Sequence, residues 1–158
     1  GADINYGLRG AAWGKHAVIV QMMIDRGAND FEEGLDYAVS GGDQNIVQMM
    51  INHGAIELND CILSPAVNGD INIVRILIEH GADNFDYALT GAAQHNREDV
   101  VKMLLDRGAN PERTLIMRSV SDSMKEIIQT YLHQRKDNIR AQMNELLIDD
   151  ISKLIVDM

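Results

Sequence analysis

The pair Gly-Ala recurs at Gly1-Ala2, Gly27-Ala28, Gly54-Ala55, Gly81-Ala82 and Gly108-Ala109, at offsets of 26, 27, 27 and 27 residues. Self-similarity at a fixed period of this size marks an array of stacked units, each too small to bury its own apolar face. Four of the pairs follow an apolar stretch with a polar end: Met22-Met23-Ile24-Asp25-Arg26, Met49-Met50-Ile51-Asn52-His53, Ile76-Leu77-Ile78-Glu79-His80 and Met103-Leu104-Leu105-Asp106-Arg107. The spacing predicts five units over residues 1–26, 27–53, 54–80, 81–107 and 108–134.

Aligned, the units give columns that behave as helix faces. One column reads Leu8, Leu35, Ile62, Leu89, Ile116, and the small pairs Ala11/Ala12, Ala38/Val39, Pro65/Ala66, Ala92/Ala93 and Ser119/Val120 follow it. This is a short first helix whose small residues let neighbours approach. Ile19-Val20, Ile46-Val47, Ile73-Val74, Val100-Val101 and Ile127-Ile128 then lead, at helical spacing, to Met23-Ile24, Met50-Ile51, Leu77-Ile78, Leu104-Leu105 and Tyr131-Leu132, a second helix with an apolar face. Gly42 and Gly69 fall between the two helices, and each Gly-Ala glycine falls just past the second, where a left-handed residue stops a helix. Such helices are shorter than the roughly 12–15 residues at which an isolated helix becomes marginal, so stacking must stabilise them. Aromatic residues make up 4% of the chain and prolines number two, which favours helices over strands. The expected fold is an all-α helix-turn-helix solenoid. The fifth unit departs at Ser119-Val120, Ser123 and Tyr131, as an end unit does.

The columns Ala66-Val67-Asn68-Gly69, Ile73-Val74, Leu77-Ile78 and Gly81-Ala82-Asp83 resemble the ankyrin repeat, and the resemblance runs from residue 1 to about residue 134. The family's T-P-L-H entry is absent, its places holding Glu33-Gly34-Leu35-Asp36 and Tyr87-Ala88-Leu89-Thr90. The period falls six short of the family's roughly 33 residues. The missing residues lie where the family projects a β-hairpin finger, so the resemblance implies blunt or absent fingers. This short, degenerate form is similar to the ankyrin arrays abundant in large DNA viruses of amoebae.

Residues 135–158 leave the repeat. Ile139, Met143, Leu146, Leu147, Ile151, Leu154, Ile155 and Met158 follow 3–4 spacing and predict one or two amphipathic helices covering the open end of the solenoid. A helical dimer seam is a second reading of the same spacing, though a monomer is expected. Asn144-Glu145-Leu146-Leu147-Ile148 is similar to the start of an F-box, without its proline and in too short a segment. That similarity carries an alternative function, a substrate-recruiting adaptor for a ubiquitin ligase acting through the C-terminal helices.

A formal charge of -10 argues against nucleic acid and anionic membrane surfaces, which are bound through Lys and Arg. One cysteine and no N-x-S/T sequon point to an intracellular, cytoplasmic protein, in the host cytoplasm if viral, and the start at Gly1-Ala2-Asp3 reads as a domain boundary rather than a targeting segment. His53 and His80 share a column at the last turn of the second helix, where a partly positive ring favours the carbonyl end. His16 and His95 lack a partner histidine at zinc-helix spacing. Gly10-Ala11-Ala12-Trp13-Gly14-Lys15-His16 has Arg9 and His16 where a phosphate loop needs Gly and Ser/Thr. Cys61 has no basic neighbour to lower its pKa. Glu32-Glu33 and Asp149-Asp150 read as solvated charges at helix starts, and Met22, Met23, Met49, Met50 and Met103 as core. No catalytic residue, metal or cofactor is expected.

The expected activity is therefore that of a protein-protein interaction scaffold. Arrays of the resembled family bind partners with their fingers and with the concave face lined by the first helices, and blunt fingers leave that face the larger share. Column by column, the positions just after the small pair are Trp13/Gly14, Ser40/Gly41, Val67/Asn68, Gln94/His95 and Ser121/Asp122. Trp13 and Val67 are apolar where the packing pattern leaves the choice open, and Trp is a favoured interface anchor. Tyr6, Glu33, Asp36, Asp60, Leu63, Tyr87 and Met117 form a rim. Unit two carries a net charge of -5 and unit three -3, which suits steering of a partner's basic segment.

Overall fold

The computed structural model describes residues 3–156, with side-chain surroundings up to residue 147. Gly1-Ala2 and the side chains of Ile148, Asp149, Asp150, Ile151, Leu154, Ile155 and Met158 lie outside the described residues.

Each Gly-Ala interval folds into two antiparallel helices. They are α1 (Ile4–Trp13) with α2 (Ala17–Asp25), and α3 (Phe31–Gly41) with α4 (Gln44–Asn52). In the third unit α5 (Leu58–Cys61) and α6 (Leu63–Asn68) share the first-helix place, followed by α7 (Ile71–Glu79). Then come α8 (Phe85–Gln94) with α9 (Glu98–Asp106), and α10 (Glu112–Ile116) with α11 (Asp122–Val156). The first helix of the third unit divides because Pro65 offers no N–H to the Cys61 carbonyl and its ring crowds that oxygen. No strand occurs among the described residues, so the hairpin fingers are absent.

Helix ends follow the sequence. Asp3, Asp30 and Asp43 cap α1, α3 and α4 by accepting from backbone N–H groups one turn in. Gly27, Gly54, Gly81 and Gly108 all take positive φ, between 96° and 113°, just past the second helices. Between the helices of a pair the left-handed residue is Gly42 or Gly69, but Lys15 (φ 62°) and Asn96 (φ 55°) hold the same place in units one and four. His53 and His80 are the C-cap residues of α4 and α7 as expected, and His80 Nδ1 lies 2.8 Å from the Ile76 carbonyl.

The core is one ladder of columns. Leu8, Leu35, Ile62 and Leu89 have no exposed surface, nor do Val20, Val47, Val74, Val101 and Ile128. First helices form one layer and second helices another. The first layer closes up most where small residues face a neighbour, α1 on α3 and α6 on α8, while the second helices stand farther apart on their Ile, Met and Leu side chains. A stack spaced more tightly in one layer than the other bends toward the tight layer, so the first helices line the inner face.

Two expectations about the C-terminal end are corrected. Ile116 does not join the core column but is 82% exposed, because α10 ends at it and nothing folds over it. Among the described residues the tail is helical and does not cover the open end. It continues the second helix of unit five without interruption, so residues 134 and 135 are consecutive in α11, and residues 136–147 are exposed throughout. Neither Pro nor Gly lies between Asp122 and Val156, so nothing breaks the helix and turns it back. Tyr131 and Arg135 tether its start: the Tyr131 hydroxyl donates to the Asp106 carboxylate at 2.8 Å, and the Arg135 guanidinium donates to the Leu105 carbonyl.

Candidate functional site

With no fingers, the turns between units are held by side chains reaching from the preceding first helix. Asn5 Oδ1 accepts from the N–H groups of Asn29 (3.0 Å) and Asp30 (3.2 Å). Glu32 accepts from Ile56 (2.8 Å) and Glu57 (3.1 Å) through its two carboxylate oxygens. Asn59 Oδ1 accepts from Asp83 (2.8 Å) and Asn84 (3.1 Å), and Asp86 Oδ1 accepts from Asn110 (2.6 Å). These four acceptors stand 27 residues apart. The ladder thins at its end, because Pro111 has no N–H for Asp86, and the next place in the column is Arg113, which has no acceptor. Glu32 is therefore a structural acceptor rather than the solvated charge its sequence context implied.

On the inner face the row after the small pairs stays open only in part. Trp13, the last residue of α1, is 64% exposed, and Tyr6 and Tyr87 are 69% and 53% exposed. Ser40, Asn68 and His95 are also exposed. His95 Nδ1 lies 3.0 Å from the Gly91 carbonyl, and Gln94 donates to the Ser119 hydroxyl at 2.7 Å, so both side chains are engaged within the array. Val67 and Leu63 do not stand free of the packing, as the sequence implied. Both are half-buried against Gly91 of the next unit, whose missing Cβ would fall 3.1 Å from Val67 Cγ2 and 2.5 Å from Leu63 Cδ1. Ser121 and Asp122 leave the row altogether. Ser119 stands where other units have alanine or proline and its hydroxyl accepts from the Gln94 side chain, α10 stops at Ile116, and Ser121 Oγ accepts from the Met124 N–H at the start of α11. Met117 instead lines a groove of about 490 Å³ with Tyr87, Thr90, Gln94 and Arg113.

Charge on this face is sorted by Arg9, which the sequence reading passed over although it is the one cation on the first helices of units one to three. Its guanidinium pairs with Glu33, lies 3.4 Å from Asp30 and sits 4.8 Å from the centre of the Tyr6 ring. Two carboxylates of unit two are thereby answered from unit one. A groove of about 300 Å³ between units two and three is lined by Glu32, Glu33, Asp36, Glu57, Asp60 and Cys61. Asp36, Glu57 and Asp60 have no ion-pair partner among the described residues. Tyr37, 40% exposed on α3, was also missed, since its column otherwise holds Gly10, Ser64, Gly91 and Arg118.

Burial pushes the Cys61 thiol up to about 12, helped by the charges of Asp36, Asp60, Glu32 and Glu57. A neutral, covered thiol is no nucleophile. Among the described residues no group of three His, Cys, Asp or Glu side chains is placed to hold a metal ion, and no helix is long and apolar enough to cross a membrane.

A family model described as ankyrin repeats in three copies matches residues 62–115. No curated protein matches the chain. The helix pairs and their turns form an all-α helical-repeat fold, similar over residues 62–115 to ankyrin repeats, which are in general protein-protein interaction modules.

Proposed function

We propose that this chain is a non-enzymatic scaffold that binds another protein on its inner, first-helix face, and that the partner offers a basic, extended segment. The observation that carries this reading is the groove between units two and three. Asp36, Glu57 and Asp60 line it without a cation of their own, while Arg9 is already occupied by Glu33 and Asp30. A partner lysine or arginine entering there would meet charge left unanswered within the array, and the exposed Trp13 supplies a rigid apolar anchor on the same helix layer. Binding by a preformed surface keeps the ordering cost of association small. Nucleic acid and anionic membranes have no place on such a face, and the proposed setting is intracellular, the host cytoplasm if viral.

The test is affinity capture with this chain beside a Trp13→Ala/Asp36→Lys variant of unchanged helicity. A protein lost from the variant, whose association with the parent chain slows steeply as salt rises, supports the reading. A partner retained by both chains, or bound with no salt dependence, sinks it.

A second reading rests on the exposed Ile139, Met143, Leu146 and Leu147 of α11, whose spacing places apolar residues on successive turns. It makes this segment the contact for a ubiquitin-ligase subunit. Purified ligase subunits that bind this chain, and not one truncated after Asp137, would support it; equal binding to both would reject it.

A further inference from the structure

The outer face of the first unit carries the residues that every inner unit uses to receive its predecessor. In units two to four the places of Ile19 are taken by Ile46, Ile73 and Val100, at most 3% exposed, whereas Ile19 is 41% exposed. The places of Met23 hold Met50, Leu77 and Leu104, all fully buried, while Met23 is only half-buried. Gly7 is exposed where Gly34, Cys61 and Ala88 are buried. The buried member Gly34 shows what such a place receives, since its missing Cβ would lie 3.4 Å from Leu8 Cδ2 of the unit before it. Beside this face Val18 is 79% exposed in a column that elsewhere reads Asn45, Asn72 and Asp99. A unit that ends a solenoid needs a polar outer face. This one keeps the apolar stacking residues of an inner unit and adds a valine to them.

We infer that the face formed by Gly7, Ile19 and Met23 is a stacking surface that receives a further helix-turn-helix unit of the same kind, seated as unit one sits on unit two. The occupant is an ordinary unit rather than the far end of a second copy. Unit five ends its first helix at Ile116, before the small pair that lets first helices approach, and so lacks the helix that α3 finds in α1. The contact continues the interface already repeated along the array, with an aliphatic side chain at the place of Leu8 closing over Gly7.

The experiment adds one unit to the full chain. A second copy of residues 27–53 is placed ahead of Gly1, and Ile19→Asp is made in both the original and the lengthened protein. The added unit is expected to raise the thermal midpoint by at least about 3 °C, the size of a shift of roughly 1 kcal/mol in a chain of this length. Amide exchange over residues 17–25 should slow, and Ile19→Asp should lower the midpoint of the lengthened protein while leaving that of the original nearly unchanged. An unchanged midpoint with unchanged exchange over 17–25 overturns the inference, whether or not the added unit folds by itself. So does a dimer of the original chain, seen by sedimentation, that Ile19→Asp disperses, because the face would then belong to a second copy.

Discussion

Gly41 lies directly on the backbone of Trp13: a Cβ at position 41 would come within 2.8 Å of the Trp13 carbonyl oxygen and 3.2 Å of its Cα. The contact sets how closely α3 approaches α1, and it fixes the base of the exposed indole. Backbone atoms cannot rotate away as a side chain can. Gly41→Ala should therefore destabilise the chain by about 1–2 kcal/mol despite alanine's better helix propensity. Gly10, also in α1, has nothing within 4 Å of its missing Cβ. Gly10→Ala should stabilise by about 0.5–1 kcal/mol, and thermal unfolding of the two variants should shift in opposite directions.

The acceptor ladder gives a second expectation. Asn59→Ala leaves the N–H groups of Asp83 and Asn84 without their protein partner and removes the Asn59 donor to Asp83. A loss of about 1 kcal/mol is expected, as for a helix cap, since water can partly replace these exposed bonds. Amide exchange at 83 and 84 should quicken more than at 29 and 30, which Asn5 holds. Equal rates at both turns would mean that the ladder does not bind the units together.

Lys15 and Asn96 occupy left-handed places that units two and three give to Gly42 and Gly69. A side chain strains that conformation, so Lys15→Gly should raise stability by roughly 0.5–1 kcal/mol. Gly69→Ala should do the reverse and more, because its Cβ would also meet Arg97 Cδ at 3.0 Å while the Arg97 Nε–H donates to the Val67 carbonyl. Chemical denaturation midpoints check both signs.

Cys61 should resist alkylation. Its thiol is pushed from 9.0 up to about 12 by burial and by surrounding carboxylates, so at neutral pH modification should proceed only as fast as the chain opens. The sign for stability follows. Between pH 9 and 12 the unfolded chain has released a thiol proton that the folded chain keeps, so Cys61 costs stability as pH rises through that window. Cys61→Ala should flatten the fall in unfolding midpoint above pH 9.

Much of the fold was legible because it is local. The 27-residue spacing of Gly-Ala, the small pairs and the aliphatic columns fix where helices begin, stop and turn, and each column is buried by its nearest neighbours alone. The site was only partly legible. The acceptors Asn5, Glu32, Asn59 and Asp86 share a column and an oxygen but not a residue type, so their common task shows only when the next turn is seen within 3.2 Å. Val67 looked free and proved to be packed, because the sequence alone does not show which residue of the next unit, here Gly91, it will face.

The sequence by itself determined an all-α array of 27-residue helix pairs, because helical periodicity and left-handed stop residues act within a single unit. Only the tertiary structure decided that Trp13 stands open while Val67 does not, and that Arg9 answers Glu33 and leaves Asp36 and Asp60 unpaired. Those outcomes depend on distances between units, set by how closely small residues such as Gly41 and Gly91 let neighbouring helices pack.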